Sequence, residues 1–454
     1  MKTQHQRSQS AQNARITRLI LRPFQEFVQA ETASGLLLFI CLLIAFLWAN
    51  SPWSASYAHL LEIHLTIGVG SLLLDHPLHT WINDGLMAIF FLLVGLELKR
   101  EVLVGELSSP RQATLPLLAA VGGALFPAMI YLIWNGGTGG ARGWAIPMAT
   151  DIAFALAILT LMGRSLPPAL KVFLSALAIA DDLIAVLIIA LFYTQGLNWM
   201  ALGVAGVAVT GLFLLRGMRQ HRLLPYVLLG FLLWAALFHS GVHATIAGVV
   251  LAFLLPARSR LDLPTFVAQA QALLSVEADA VPSTQPRRLL DEEHQSAVHA
   301  LETACEEVQA PLGRMEHLLQ RSVAFVIVPL FAFANAGVHL EGTLDQLLTP
   351  VSLGVALGLL IGKPIGIVFV SWLLSRCGLA QLPEGVNFRH LLGVGMLAGI
   401  GFTMSLFLAD LAFEDIQPQL LTQAKLGILA AGVLAAGLGA LILRLQRSGR
   451  LASG

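Results

Sequence analysis

Long apolar stretches separated by short polar ones run along most of the chain. A helix needs about 20 mostly apolar residues to cross about 30 Å of hydrocarbon. Twelve stretches, which we call spans 1 to 12, approach that length: 34–51, 83–98, 112–134, 144–163, 170–194, 200–215, 223–238, 241–256, 322–338, 351–375, 389–413 and 425–443. The pattern predicts an all-α polytopic membrane protein with twelve transmembrane helices in two blocks, 34–256 and 322–443.

Composition supports this fold class and excludes others. The 454 residues are 56% hydrophobic and 12% charged, with a mean hydropathy of +0.76, whereas about a quarter of the residues in a soluble domain are charged. No basic stripe is interleaved with aromatic residues, so nucleic acid is not an expected partner. The three cysteines lie too far apart in sequence for a disulfide framework: Cys41, Cys305 and Cys377. The lipid bilayer is the expected surrounding of the chain.

The 27 basic and 27 acidic residues cancel in total, yet the basic ones are unevenly distributed. If the N-terminus is cytoplasmic, 24 of the 27 Lys and Arg residues lie on the cytoplasmic side, whereas Arg142 and Lys425 lie outside and Lys363 lies within span 10. Cytoplasmic loops of membrane proteins carry such an excess. Segments 1–33 and 444–454 are therefore predicted to be cytoplasmic tails, and the first has no apolar core that would make it a signal peptide.

Two polar segments between the spans have patterns of their own. The outer segment 52–82 contains an alternating run at 64–70 followed by turn-forming residues, which predicts a small hairpin. The loop 257–321 places apolar residues at helical spacing among acids, which predicts one or two amphipathic helices on the cytoplasmic side. These helices either rest on the protein's own surface or bind a partner, and the sequence leaves both interpretations open.

Among the ionisable residues inside the spans or at their edges, the following are singled out as candidates: Asp84, Asp151, Asp181, Asp182 and Lys363. Each costs on the order of 3 kcal/mol at the centre of a membrane helix unless it is paired or hydrated. A buried structural ion pair is the alternative explanation for any one of them. Because four of the five cluster at mid-depth, they are candidates for a functional site.

Asp181 and Asp182 are adjacent in span 5, roughly 17 Å from its cytoplasmic end at about 1.5 Å per residue. On a helix they point about 100° apart, so one can face a cavity while the other faces a neighbouring helix. Two carboxylates so close in a low dielectric cannot both ionise cheaply. Such a pair can hold a proton or a hard cation, and competition between the two would be an exchange mechanism.

Helix-breaking residues occur in two other spans. In span 4, Pro147 precedes Asp151, and in span 11 Gly399 and Gly401 follow each other closely. Interrupted helices in two halves of a chain are typical of a transport site, although glycines also allow close helix packing. If both spans are broken and cross, two helix N-termini meet and two C-termini meet. An acid and a base would compensate these ends, and Asp151 and Lys363 are the candidates.

Motifs in eight places resemble the NhaA family of sodium/proton antiporters. They are NDGLMA at 83–88, GLELKRE at 95–101, TDIAFA at 150–155, AIADDL at 178–183, GVHAT at 241–245, FAFANAG at 331–337, GKP at 362–364 and GIGFTMS at 399–405. The resemblance covers nearly the whole chain from about 30 to 445, apart from the loop at 257–310.

The resemblance implies a fold and an assembly. Spans 3–5 and 10–12 are expected to form inverted repeats, with spans 4 and 11 interrupted where they cross. The outer segment 52–82 is expected to join two copies in a homodimer. The location implied is the bacterial inner membrane, with several passes and both termini cytoplasmic.

The resemblance also implies roles for the charged residues. Asp182 is expected to be the principal Na⁺ or Li⁺ ligand and proton carrier. Asp181 is expected to be its partner and to form a salt bridge with Lys363 that breaks when the cation binds. The crossing and supporting residues implied or indicated by the motifs are Thr150, Asp151, Gly399, Gly401, Thr403 and Asp84.

A cytoplasmic pH-response region is likewise implied, with Glu97 and Glu101 at the end of span 2 and Glu316 and His317 near the start of span 9. A histidine beside a carboxylate can act as a pH sensor, and an ordinary solvated His317 is the other interpretation. The predicted function is an electrogenic, pH-regulated antiporter that exchanges cytoplasmic Na⁺ or Li⁺ for external protons. No cofactor and no enzymatic activity are expected.

Four other functions compete with this prediction. A Na⁺-coupled symporter would need an organic solute. An intramembrane aspartyl protease would need a Gly-x-Gly-Asp motif, which is absent around Asp151 and Asp181. A metal-dependent lipid transferase would need further acids after Asp182, where apolar residues follow. A retinal pigment could use Lys363 as a Schiff base, but twelve spans argue against that class.

Overall fold

The computed structural model of the protein describes residues 33–69, 72–163, 166–194, 196–280, 292–338, 343–414 and 417–451. Nearly all of the predicted N-terminal tail, the middle of the predicted cytoplasmic loop and the last three residues lie outside these ranges. The regular structure in the described part is helical except for one two-stranded sheet.

The α-helices are Ala33–Ala49, Ser54–Glu62, Leu78–Thr80, Met87–Val104, Pro110–Asn135, Ile152–Leu161, Pro168–Phe192, Trp199–Gly217, Leu223–Phe238, Ile246–Leu254, Leu263–Ala280, Glu292–Val308, Pro311–Ser322, Val328–Asn335, Thr343–Leu347, Pro350–Leu357, Lys363–Arg376, Phe388–Ala398, Phe402–Phe413 and Pro418–Leu451. Three π-helical turns join neighbouring α-helices without a break, at Trp81–Leu86, Val323–Ile327 and Gly358–Gly362. The 3₁₀ helices are Glu106–Ser108 and Gly139–Met148.

Among the described residues, six helices are long and apolar enough to cross a membrane, and nine candidates result if each of three bent pairs counts as one. These nine match spans 1, 3–6 and 9–12. Spans 2, 7 and 8 coincide with helices that are shorter or carry several charges, namely Met87–Val104, Leu223–Phe238 and Ile246–Leu254. The predicted all-α polytopic membrane fold is confirmed, whereas the count of twelve transmembrane helices stays a prediction.

Two helices extend well beyond the apolar stretches that predict them. Most of span 9 lies within a helix that runs over Pro311–Asn335, and span 12 lies within Pro418–Leu451. The first takes in the end of the predicted cytoplasmic loop, and the second reaches into the predicted C-terminal tail. The reason is that apolarity marks hydrocarbon contact, while the i to i−4 hydrogen bonds of a helix continue through polar turns beyond it.

The outer segment folds into two antiparallel strands, His64–Val69 and Leu72–Pro77, with His64 opposite Pro77. Thr66 Oγ1 donates to Asp75 Oδ1 at 2.8 Å across the pair. The preceding helix Ser54–Glu62 is held by Tyr57, whose hydroxyl donates to Phe333 O at 2.7 Å. Tyr57 therefore attaches this helix to the end of helix Val328–Asn335.

The chain divides into two compact units. The first comprises Met1–Met87, Glu101–Tyr193 and Val323–Gly454, and the second comprises Ala88–Arg100 and Thr194–Ser322. In the second unit, Lys99 Nζ donates to Phe253 O at 2.8 Å and to Leu255 O, at the end of helix Ile246–Leu254. A cation at that position compensates the partial negative charge of a helix C-terminus.

Small residues bring the backbones of spans 3 and 10 together in the first unit. A Cβ atom added to Gly362 would lie 2.7 Å from Pro127 Cα, and one added to Gly366 would collide with Gly122 O. Close backbone approach at small residues is typical of packing between membrane helices. Because span 3 also packs against span 5 and the first half of span 4, this contact positions Lys363 of span 10 for the candidate site.

Candidate ion-binding site

Span 4 is interrupted in its middle. The 3₁₀ helix Gly139–Met148 contains Pro147 and ends before the extended residue Ala149, and Asp151 then caps helix Ile152–Leu161. The Asp151 carboxylate accepts a hydrogen bond from the Phe154 N–H at 3.0 Å. A proline lacks the N–H that would continue the ladder, and aspartate is a preferred N-cap. These local preferences account for the break.

Span 11 is interrupted between Phe388–Ala398 and Phe402–Phe413, whose axes differ by 48°. The break requires glycine because other backbone comes close there. A Cβ atom on Gly399 would lie 2.5 Å from Leu359 O, and one on Gly401 would lie 2.9 Å from Ala149 O. Both values are below the separation that a Cβ atom tolerates.

The interruptions of spans 4 and 11 contact each other. The Asp151 carboxylate binds the N-terminus of the helix that follows each interruption. The Asp151 N–H donates to Ile400 O at 2.7 Å. Its Oδ2 accepts from the Thr403 hydroxyl at 2.6 Å and from the Thr403 N–H at 3.2 Å, while Oδ1 accepts from Phe154. Helix N-termini carry partial positive charge, so a single carboxylate, 2% exposed, compensates two of them.

Lys363 lies on the opposite side of the crossing, near the C-terminal ends of the first halves. Its ammonium group is fully buried and donates to Met148 O and to Asp181 Oδ2. Thr150 Oγ1 lies 2.6 Å from Asp181 Oδ2 and 3.0 Å from Ala398 O, the two acceptors to which it can donate. A cation and a hydroxyl thus face the two carbonyl ends, where partial negative charge accumulates.

Helix Pro168–Phe192 carries the two adjacent acids into this crossing. Asp181 is 3% exposed and Asp182 is 1% exposed. The Asp182 carboxylate also interacts electrostatically with the Lys363 ammonium. The site therefore presents two carboxylates, the Thr150 hydroxyl and carbonyl oxygens around one ammonium group. Such hard oxygen donors suit a proton or a small cation.

The structure also places the remaining predicted residues. Asp84 lies half-buried in the π-helical turn of span 2, while Glu97 lies half-buried in Met87–Val104. In the second unit Glu316 is buried and forms an ion pair with Arg100. Its neighbour His317 is exposed.

Glu101 is half-buried within the first unit. The proposed pH-response role of Glu97, Glu101, Glu316 and His317 stays a prediction.

Sequence reasoning missed one buried acid, Asp410, which lies inside span 11 and is 4% exposed. Its Oδ1 lies 3.0 Å from the Lys425 ammonium, and its Oδ2 accepts from the Asn83 amide at 3.4 Å. The signal was present, since Asp410 is an acid in an apolar stretch like Asp151. Asp410 lies near the C-terminal end of the span, four residues before Glu414, where acids of a connecting loop are also expected.

Substituting Gly399 tests whether the crossing depends on close backbone contact. Gly399→Ala should destabilise the protein by about 1–3 kcal/mol, because its Cβ atom would overlap Leu359 O and require a backbone shift. Gly432→Ala is the matched control, since a Cβ atom there meets nothing within 4 Å and alanine favours helix by up to about 1 kcal/mol. Thermal unfolding in detergent compares them, and equal melting temperatures would contradict the prediction.

The fold and this crossing define an α-helical polytopic membrane protein with two interrupted helices that meet at buried charges. The sequence model of the Na⁺/H⁺ antiporter 1 family matches residues 25–443. The chain therefore belongs to that family, and its resemblance to the NhaA antiporters is confirmed.

Two relatives illustrate how far the similarity extends. The Na(+)/H(+) antiporter NhaA of Koribacter versatilis is 48% identical over 428 residues, which cover 94% of this chain and 92% of the relative. The NhaA of Oleidesulfovibrio alaskensis is 48% identical over 432 residues, which cover 95% of each chain. Both alignments span essentially the full length of the relatives.

Proposed function

We propose that the protein is an electrogenic antiporter that exchanges cytoplasmic Na⁺ or Li⁺ for external protons across the bacterial inner membrane. The names of the family and of its relatives support Na⁺/H⁺ exchange. The observation that carries the proposal is the buried Asp181–Lys363 ion pair, with Asp182 beside it, at the contact of two interrupted helices.

In this proposal, protons and cations compete for the same carboxylates. A Na⁺ ion that approaches Asp181 and Asp182 must displace the Lys363 ammonium from Asp181, since that ammonium occupies the position beside Asp181 Oδ2. The Thr150 hydroxyl is close enough to help hold either species. A proton taken up by the carboxylates removes the charge that attracts Na⁺, so one site binds the two ligands alternately.

Two proton-binding groups at the site give a reason for net charge movement. If two protons leave when one monovalent cation binds, one from Asp182 and one from the Asp181–Lys363 ion pair, one net charge crosses the membrane in each cycle. Activity should then fall in acid, where the carboxylates hold their protons. Regulation by cytoplasmic pH through Glu316 and His317, and dimerisation through the outer hairpin, belong to the same proposal.

Transport by the purified wild-type protein tests the proposal. In proteoliposomes that carry a pH gradient, Na⁺ or Li⁺ should dissipate the gradient without any organic solute, and choline should not. An imposed membrane potential should change the rate, because an electrogenic cycle moves charge. Strict dependence on an organic solute would favour a symporter. A transport rate that does not depend on the membrane potential would contradict electrogenic exchange. Potassium in the same assay defines the cation preference.

A further inference from the structure

Six polar side chains form a connected group in the first unit, seven or more residues from the crossing along span 11. We call it the outer cluster, because the distribution of basic residues assigns this end to the outer side. Its members come from the ends of spans 2, 9, 11 and 12: His79, Asn83, Asn335, Asp410, Glu414 and Lys425. The ion-exchange mechanism proposed above uses none of them.

The two asparagine amides in the outer cluster have fixed orientations. The Asn335 amide nitrogen donates to Asn83 Oδ1 at 2.8 Å and to Phe331 O at 3.1 Å. Its oxygen therefore faces His79 Nε2, 3.3 Å away. Because Asn83 Oδ1 accepts from Asn335, the Asn83 nitrogen faces His79 Nε2 at 3.0 Å and Asp410 Oδ2 at 3.4 Å.

His79 Nε2 consequently has one donor and one acceptor beside it. A neutral imidazole with its proton on Nδ1 accepts at Nε2 from the Asn83 amide. A protonated imidazole donates at Nε2 to Asn335 Oδ1 instead. In both states Nδ1 donates to Glu414 Oε1, 3.2 Å away. The outer cluster thus satisfies both charge states of the ring, with different partners.

Charged groups from the neighbouring elements favour the protonated ring. Burial alone would lower the pKa of His79, but the hydrogen bond and charge of Glu414, with the charge of Asp410, outweigh burial and the repulsion from Lys425 and raise the pKa. Burial alone would raise the pKa of Glu414, but the hydrogen bond and charge of His79, with the charge of Lys425, outweigh burial and lower that pKa. The ionised His79–Glu414 pair therefore stabilises the fold between the lowered pKa of Glu414 and the raised pKa of His79. That stabilisation is lost as pH rises through the pKa of His79 or falls through the pKa of Glu414.

Solvent can supply the proton. The His79 side chain is 22% exposed and that of Glu414 is 43% exposed, whereas the side chain of Asp410 beneath them is 3% exposed. Tyr57 lies nearby on helix Ser54–Glu62, but its hydroxyl donates to Phe333 O. The partners of the two His79 ring nitrogens are therefore Glu414 and the two amides. The outer cluster therefore extends from solvent-exposed side chains to the buried ion pair of Asp410 and Lys425.

We propose that His79 is a proton-binding site on the outer side whose protonation removes the imidazole as an acceptor of the Asn83 amide and leaves the Asp410 carboxylate as the acceptor of that amide. The hydrogen bond from Asn83 to Asp410, 3.4 Å long here, can then shorten, which joins spans 2, 11 and 12 more firmly at their outer ends. Asp410 lies about 10 Å along the same helix from Thr403 at the crossing. External acid thereby holds the outer ends of these spans together, and external alkali releases them.

Histidine NMR on the full chain in lipid nanodiscs tests proton binding without any transport assay. The His79 signal, identified by its loss in His79→Gln, should titrate above about 6.5, the ordinary value for histidine. Glu414→Gln should lower this pKa by about half a unit or more, whereas Glu384→Gln, an exposed control, should not. A His79 that titrates at or below the ordinary value, or that responds equally to both variants, overturns the proposal.

The amide switch has its own readout in the same samples. The side-chain amide signal of Asn83 should shift with the same midpoint as the His79 ring, because the amide loses the ring nitrogen as an acceptor when the ring is protonated. A purely structural Asn83 would keep both of its acceptors, the ring nitrogen and Asp410, throughout. An amide signal that stays constant while His79 titrates overturns the switch.

Transport then tests the consequence, and this step alone rests on the proposed function. With the pH inside proteoliposomes held constant, His79→Gln should flatten the dependence of Na⁺/H⁺ exchange on external pH, and His64→Gln on the exposed hairpin should not. Absence of exchange in the wild type would refute the proposed function. Normal exchange in His79→Gln, with unchanged dependence on external pH, would refute the outer proton site instead.

Discussion

Asp182→Asn should abolish the Na⁺-dependent dissipation of a pH gradient in everted membrane vesicles. An amide keeps the size of the side chain but can neither release a proton nor attract a cation with a full charge. Loss of a charged contact worth about 3 kcal/mol weakens cation binding by about a hundredfold. Since Asp182 is 1% exposed beside the Lys363 ammonium, neighbouring water cannot replace the missing carboxylate.

Asp345→Asn is the matched control for this prediction. It makes the same chemical change at an exposed position in the short helix Thr343–Leu347, and it should transport like the wild type. Stabilisation against heat by Na⁺ or Li⁺, which reports binding directly, should also disappear in Asp182→Asn. Wild-type exchange in that variant would remove Asp182 from the proposed site.

Lys363→Met should destabilise the protein by about 3–5 kcal/mol, the usual cost of leaving one charge of a buried pair uncompensated. The ammonium is fully buried against Asp181 Oδ2 and Met148 O, so its removal leaves the Asp181 carboxylate without an opposite charge. Asp181→Asn should reduce the stability by a similar amount, because it leaves Lys363 without its opposite charge. The double variant removes both charges and should recover much of the loss, a coupling that thermal unfolding of the four proteins measures.

The exposed pair Arg260–Glu307 provides the comparison, with oxygen and nitrogen 2.7 Å apart and side chains 66% and 30% exposed. The same cycle with Arg260→Met and Glu307→Gln should give a coupling of no more than about 1 kcal/mol, as for other surface pairs. If the double variant of Lys363 and Asp181 is as unstable as the singles added together, Lys363 acts mainly on the Met148 carbonyl. In that case the ion pair is not the stabilising element.

Several features of the fold follow from the sequence because their physical cause is local. The transfer of each side chain into hydrocarbon sets where helices lie, and prolines and glycines weaken a helix wherever they occur. For that reason the helical positions of the spans and the weak points in spans 4 and 11 could be predicted. The lengths of the helices at Pro311–Asn335 and Pro418–Leu451 could not, because a helix continues past the apolar residues that reveal it.

The sequence also singled out most of the buried charges, since an acid or lysine in an apolar stretch is conspicuous. It overlooked Asp410, whose burial becomes evident once Lys425 and Asn83 lie against it. Those partners are 15 and 327 residues away along the chain. No periodicity or composition connects positions so far apart.

Apolar stretches, basic loops and helix-breaking residues thus predict, from the sequence alone, a polytopic membrane protein with two interrupted helices and acids within its spans. Tertiary packing decides which oxygen faces the ammonium: Asp181 Oδ2 contacts Lys363 while Asp151 faces two helix N-termini. It also places a donor and an acceptor at His79 Nε2. The reason is that such pairings depend on how each helix is rotated and how closely glycines let neighbours approach, whereas hydropathy depends on each residue alone.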